Sequence, residues 1–290
     1  MSKTMSMAKA SIRAQGAGPT VICLHGSAGS SEQWQPLGAR LRWRYRVLAP
    51  DLYGYGTSRA GDTGRPCSLD DAAASIEPLL DGTPQGAYLV GHSDGAVVAL
   101  KLALAHRERI RGLVLYEPTL FGLLFAHKHA HHAGLEIGVT KLILRRYLHA
   151  GKPFPAAQRF VDYWSEEGAW QTLSPSQQEA IARRMPTVLA NLDALLADAT
   201  PLSEYARIDM PVLCLTGART RASAQCVAQV LTRALPNAGW RQLSGAGHMG
   251  PVSHAEEVNQ VIQGFLAAQR GGKASGQPDL GATAELAWAV

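Results

Sequence analysis

The sequence predicts an α/β protein, a doubly wound, mostly parallel sheet interrupted once by a helical insertion. Three observations carry this. Short apolar runs ending in turn residues alternate with helix-length segments from residue 20 to 116 and again from 212 to 268, as expected of strands buried on both faces between crossover helices. Between those stretches, 119–207 has helical spacing throughout. Finally, the peptide Gly91-His92-Ser93-Asp94-Gly95 falls between an apolar run and a small-residue helical stretch, which marks a tight strand-to-helix turn.

Taken in order, 20–24 reads as a buried strand ending at His25-Gly26, and 45–49 as the next, ending at Pro50-Asp51. Residues 87–90 lead into the Gly91–Gly95 turn, and 113–116 end at Glu117-Pro118. Helical segments at 34–43, 69–80 and 96–106 separate these runs. The insertion contains Leu142-Ile143-Leu144, an apolar segment at 160–164, a helix over 181–196 and the capping pair Ser174-Pro175. Strand character returns at 212–216 and 240–243, followed by a last helix over 255–268. The expected division is a core of 1–118 and 208–270, a helical cap of 119–207, and a Gly- and Ala-rich tail, 271–290, that is poorly ordered. The N-terminus is too short for two antiparallel edge strands before Thr20.

Composition narrows the classes of function. The chain has 290 residues, 46% hydrophobic and 18% charged, an ordinary globular balance. The net charge of +5 is spread over several helical segments, which argues for solvated faces and against a nucleic-acid partner. No run approaches a membrane span. Residues 1–10 lack the apolar core of a secretion signal, so a cytoplasmic location is expected. The cysteines Cys23, Cys67, Cys214 and Cys226 show no paired metal spacing and read as small hydrophobes. The oligomeric state is open.

Candidate chemistry begins at Ser93. A serine in a tight turn between strand and helix is lifted clear of the sheet, and side chains at positions 91 and 95 would collide with neighbouring elements. The same turn aims the backbone N–H of Asp94 at the space above Ser93. A serine hydroxyl needs a base, and His248, in Gly245-Ala246-Gly247-His248, has the residue type and loop setting for one. His25, Asp51, Ser93, Glu117 and His248 all fall at the carboxyl edge of the expected sheet, where open α/β sheets bind ligands.

Together, His25-Gly26-Ser27-Ala28-Gly29-Ser30, Asp51-Leu52-Tyr53-Gly54-Tyr55-Gly56, Gly91–Gly95 and Gly245–His248 resemble the α/β-hydrolase fold family over about residues 18–268. The resemblance implies a serine hydrolase with a helical cap. Ser93 would attack, His248 would accept its proton, and the backbone N–H groups of Ser27 and Asp94 would form the oxyanion hole. No cofactor or metal is implied. In most members the acid follows the strand equivalent to 212–216, about where Thr220 stands, yet no Asp or Glu occurs between Asp209 and Glu256. Glu117, at the previous strand end, is where some relatives, including haloalkane dehalogenases, carry their acid. It is either the triad carboxylate or a structural or pocket-lining residue. Asp51 is the next candidate by location, though its setting suggests a carboxylate that organises the loop.

Asp94 is unusual beside a nucleophile. A carboxylate facing an oxyanion would disfavour it, so the side chain is expected to turn away or to bind a polar substrate group. Relatives that act as dehalogenases or epoxide hydrolases carry Asp where Ser93 stands, which argues against both chemistries. His127 and His131 would share one helix face, but an exposed basic segment accounts for the cluster of His127, His129, His131 and His132 better than a metal site does. Phe154, Phe160, Tyr163, Trp164 and Trp170 either pack the insertion onto the sheet or line an acyl pocket.

The leading expectation is therefore hydrolysis of a small or medium carboxylic ester, lactone or thioester through an acyl-enzyme, with a small molecule as partner. Hydrolysis of a carbon–carbon bond in a ring-cleavage diketone uses the same residue types. Low-turnover ligand binding on the same fold is the reading from outside enzymes.

Overall fold

The computed structural model describes residues 11–56, 58 and 67–270. The expectations about the tail 271–290 and about residues 1–10 lie outside the described residues. Seven strands form one sheet: β1 (Ile12–Gln15), β2 (Thr20–Leu24), β3 (Arg46–Pro50), β4 (Ala87–His92), β5 (Ile110–Tyr116), β6 (Val212–Gly217) and β7 (Ala238–Leu243), in the spatial order β1-β3-β2-β4-β5-β6-β7. All neighbours run parallel except β1, which pairs antiparallel with β3. The chain runs outward from β2 to β3 and then returns past β2 to β4, so the topological switch point lies between the carboxyl ends of β2 and β4, where an open sheet leaves a crevice for a ligand.

The helices are α1 (Gln35–Leu41), α2 (Leu69–Ile76), α3 (Pro78–Asp81), α4 (Asp94–Ala105), α5 (Gly122–Ala126), α6 (His131–His149), α7 (Pro153–Trp164), α8 (Pro175–Ala197), α9 (Leu202–Tyr205), α10 (Ala222–Ala234), α11 (Gly250–Ser253) and α12 (Ala255–Arg270). Period-two alternation of the central strands splits the core. Val21 and Cys23 of β2 face the side covered by α1 and α12, with Trp34, Leu37, Val258 and Ile262. Ile22 and Leu24 face the side covered by α2, α4 and α10, with Ile76, Val97, Leu100 and Leu231. Strands buried on both faces explain why these runs are apolar without polar alternation.

Helices α5 to α9 lie between β5 and β6 and form the cap. Helix α8 is capped by Ser174, whose hydroxyl accepts the Gln177 N–H while the Gln177 side chain accepts the Ser174 N–H, a reciprocal cap that satisfies two otherwise orphaned donors. No helix among the described residues is long and apolar enough to cross a membrane.

Several local expectations are corrected. The helix expected over 69–80 is broken between α2 and α3, where Pro78 removes an N–H and restarts the helix. His127 and His131 do not share a helix face. His127 ends α5, a short 3-10 turn follows, and His131 opens α6 with Nε2 hydrogen-bonded to the Phe125 carbonyl. Among the described residues a single antiparallel edge strand, β1, precedes Thr20, in keeping with an N-terminus too short for two.

Candidate active site

Ser93 occupies the turn between β4 and α4 with φ 56° and ψ −121°, a region that non-glycine residues rarely adopt and that costs of order 1–3 kcal/mol. The flanking glycines make the turn possible. A Cβ on Gly95 would lie 2.4 Å from the Leu24 carbonyl oxygen, and one on Gly91 would lie 2.4 Å from the Ala96 Cα. Either side chain would push the elbow away from β2 or from its own helix. Tyr116 holds the turn from below, its carbonyl accepting the Ser93 N–H at 2.9 Å.

Ser93 Oγ lies 3.0 Å from His248 Nε2, and His248 Nδ1 lies 2.7 Å from Glu117 Oε2. A carboxylate only accepts, so Nδ1 carries the ring proton and Nε2 presents its lone pair to the hydroxyl. Glu117 follows β5 with φ 47° and is fully buried. Its other oxygen, Oε1, accepts the Gly217 N–H at 2.7 Å, and Oε2 also accepts from the Thr220 hydroxyl. The position where a β6 acid would stand therefore supports the β5 acid. These donors satisfy the buried carboxylate and fix its orientation.

Four consecutive carbonyls hold the loop that carries His248. Arg219 Nε binds the Gly245 oxygen at 3.0 Å and the Arg219 N–H binds that of Ala246 at 2.9 Å. The Tyr116 hydroxyl donates to the Gly247 oxygen at 2.7 Å, and His92 Nε2 donates to the His248 oxygen at 2.9 Å. Sequence reasoning missed His92 and Tyr116. Their pairing across β4 and β5 brings both to one strand-end level, and an imidazole adjoining the turn serine was the available signal. Burial pushes the His92 imidazole well below its ordinary value and keeps it neutral. From the cap, the Trp164 indole lies over the His248 ring, centroids 4.0 Å apart and planes inclined 30°.

The loop after β2 supplies the opposite wall. His25 is fully buried, its Nδ1 bonded to the Gly26 carbonyl at 2.8 Å and its Nε2 accepting the Leu52 N–H at 2.9 Å. Burial lowers its pKa to about 4. Asp51 Oδ1 accepts the Ser31 N–H at 2.8 Å, tying the loop after β3 to the loop after β2. The Asp94 side chain bonds Ser27 Oγ and Thr119 Oγ1, and burial raises its pKa from the ordinary carboxylate value. Phe121 stacks on Trp164, which meets Tyr163 edge-on, while Phe154 and Trp170 pair further along the cap. Among the described residues no cluster of three or more His, Cys, Asp or Glu is arranged to hold a metal ion.

A mostly parallel sheet with a helical cap, and a hydroxyl, an imidazole and a carboxylate aligned at its carboxyl edge, define an α/β hydrolase. Residues 21–261 match the model of the alpha/beta hydrolase family, and the chain belongs to that family. It is 30% identical over 265 residues to 2-hydroxymuconate semialdehyde hydrolase of Pseudomonas putida, covering 87% of this chain and 89% of that one. It is 27% identical over 265 residues to pimeloyl-(acyl-carrier protein) methyl ester esterase of Nitrosomonas europaea, covering 87% and 97%. Among solved structures, a thermophilic esterase from Thermogutta terrifontis superposes with a TM-score of 0.70 at 22% identity, over 89% of this chain and 93% of that one.

Proposed function

We propose that this hydrolase acts on a small or medium carboxylic ester, lactone or thioester through a covalent acyl-enzyme, with Ser93, His248 and Glu117 as the triad. The observation that carries the reading is the line from Ser93 Oγ through His248 to Glu117, 3.0 Å and 2.7 Å long. His248 Nε2 takes the hydroxyl proton as Oγ attacks the carbonyl carbon, and Glu117 stabilises the resulting imidazolium and fixes its tautomer. The backbone N–H groups of Ser27 and Asp94 receive the negative oxygen of the tetrahedral intermediate. Removing one such donor costs about 2.7–4 kcal/mol in comparable enzymes. The imidazolium protonates the leaving alcohol or thiol, leaving an ester on Ser93. Water, deprotonated by the same nitrogen, then attacks that ester and releases the acid. Every proton is handled by side chains of this chain.

A second reading has one observation behind it, the 30% identity to a 2-hydroxymuconate semialdehyde hydrolase. A compound of that name offers no ester bond, so its hydrolysis breaks a bond to carbon. The same base and oxyanion site serve that reaction if the carbon leaving group departs as a stabilised enol. A panel of short p-nitrophenyl esters, lactones and vinylogous diketones separates the two readings.

The direct test is labelling with a fluorophosphonate probe, which reacts with an activated serine. Wild-type protein labels, and Ser93→Ala abolishes labelling while lowering turnover on the order of 10⁴-fold. Ser93→Ala activity within about tenfold of the parent would remove Ser93 from the reaction.

A further inference from the structure

The carboxylate of Asp94 ends a chain of hydrogen bonds that runs in one direction. Asn191 Nδ2, on α8 of the cap, donates to the Tyr55 hydroxyl at 3.0 Å, Tyr55 donates to Ser27 Oγ at 3.3 Å, and Ser27 donates to Asp94. Thr119 Oγ1 donates to the other carboxylate oxygen at 2.9 Å. Each hydroxyl donates onward, so the chain ends on the group best able to accept, and charge-assisted bonds of this kind are about twice as strong as neutral ones. A second cap contact reaches the same loop, where Arg184 Nη1 donates to the carbonyl of Ala28, a residue with φ 57°.

Burial works against a charge on Asp94. Burial raises its pKa even though Ser27, Thr119 and Asn191 donate to it. A buried acid with a raised pKa opposes folding at neutral pH, and an amide of the same shape would not. The carboxylate makes sense if its hold on Ser27 is used elsewhere.

We propose, resting on the reading of Ser27 and Asp94 as the oxyanion donors, that Asp94 is a positioning residue. Its carboxylate grips the Ser27 hydroxyl and thereby sets the spacing between the two backbone N–H groups, and Tyr55 and Asn191 tie that spacing to the cap. The two donors come from separate strand ends, β2 and β4, on either side of the switch point. The strands pair directly as far as Leu24 and Gly91, the Asp94–Ser27 bond adds a link beyond the last paired residues, and donors must lie 2.7–3.1 Å from the developing oxyanion to act on it. The arrangement also answers how a carboxylate can stand beside an oxyanion site: hydroxyls of Ser27 and Thr119 occupy it.

The test measures p-nitrophenyl butyrate hydrolysis, inhibition by phenylboronic acid, fluorophosphonate labelling and thermal stability for wild type, Asp94→Ala, Asp94→Asn, Ser27→Ala and the double variant Ser27→Ala/Asp94→Ala. Phenylboronic acid becomes tetrahedral on the serine and so reports the oxyanion site in a stable adduct. For Asp94→Ala, kcat falls up to about 10²-fold, the scale of a 1 Å misplacement. KM stays within about threefold, and phenylboronate binding weakens in parallel with kcat. The double variant is no worse than the poorer single variant, because both remove one link. Asp94→Asn melts at a higher temperature than wild type and still turns over more slowly, which a purely structural residue would not do.

The proposal is overturned if the losses in the double variant multiply, if kcat and phenylboronate binding hold in Asp94→Ala, or if KM alone rises, which would make Asp94 a substrate contact. Wild-type protein that neither labels nor hydrolyses the ester brings down the serine reading and this proposal together. Wild-type labelling with unaffected Asp94 variants brings down this proposal alone.

Discussion

Trp164, the last residue of the cap helix α7, stacks on His248 of the core with ring centroids 4.0 Å apart. The catalytic candidate is thus held between core and cap. Glu117 grips its Nδ1 edge, His92 lies 5.0 Å from it on one side, and the indole covers a face. An aromatic face is also a favourable neighbour for the cation the ring would become in the proposed mechanism.

Replacing Trp164 by Leu keeps an apolar side chain and removes the stacking. Aromatic pairs are worth about 0.5–1.5 kcal/mol beyond buried area, so kcat for ester hydrolysis falls between about twofold and tenfold. Trp164→Phe recovers most of it. Steady-state kinetics of the two variants decide the point, and equal rates for Leu and Phe would show that the ring does nothing for His248.

Glu117 is tested by moving the acid. Glu117→Gln keeps the shape but can no longer stabilise an imidazolium, and its amide N–H₂ directed at Nδ1 favours the wrong tautomer. Turnover falls on the order of 10⁴-fold. Thr220 already touches Glu117 Oε2, the atom bound by His248, so an added Thr220→Asp brings a carboxylate to the ring from β6 and restores part of the rate. A fully active Glu117→Gln protein would exclude Glu117 as the triad acid.

The contrast between Ser93 and Glu117 shows how far the sequence could be read. Ser93 is legible because strand, turn, helix and both glycines are contiguous. The buried strands are legible for a similar reason, since two covered faces demand unbroken apolar runs. Strand β1 has no such run because it lies at the sheet edge with Ile12, Arg13 and Ala14 exposed. Helix α10 hides its buried Val227, Val230 and Leu231 among Ala, Ser, Gln and Thr. The role proposed for Glu117 comes from the empty position at the β6 strand end together with the resemblance to relatives that carry their acid after β5, because its partners lie 100, 103 and 131 residues away. Tyr116 and His92 bond the His248 loop across 131 and 156 residues, and the imidazole beside Ser93 is the one local sign of it.

Backbone strain at Ser93 gives a stability prediction separate from catalysis. Glycine adopts positive φ freely, so Ser93→Gly releases strain of order 1–3 kcal/mol, offset by about 0.4–1 kcal/mol from greater freedom in the unfolded chain. Ser93→Ala keeps the strain. Both variants are inactive, yet the Gly protein is more stable than the Ala protein by about 1 kcal/mol in urea denaturation. An Ala variant as stable as the Gly variant would mean that the turn carries no strain.

His25 makes the fold sensitive to acid. Its imidazole donates at one nitrogen and accepts at the other, a pattern that only the neutral ring can provide, and burial lowers its pKa from 6.5 to about 4. Between those values the unfolded chain takes up a proton that the folded chain refuses, so stability is full above about 6.5 and falls as pH drops toward 4. At 1.36 kcal/mol per unit, the loss from His25 between pH 7 and pH 5 is about 2 kcal/mol. The buried His92 adds a loss of the same sign. His25→Asn lowers stability at pH 7, because the shorter amide cannot bridge the Gly26 carbonyl and the Leu52 N–H. It also removes the titrating ring, so its stability falls less steeply from pH 7 to pH 5 than that of wild type. Urea denaturation of both proteins at the two pH values measures the difference, and parallel losses would show that His25 is not the acid-sensitive group.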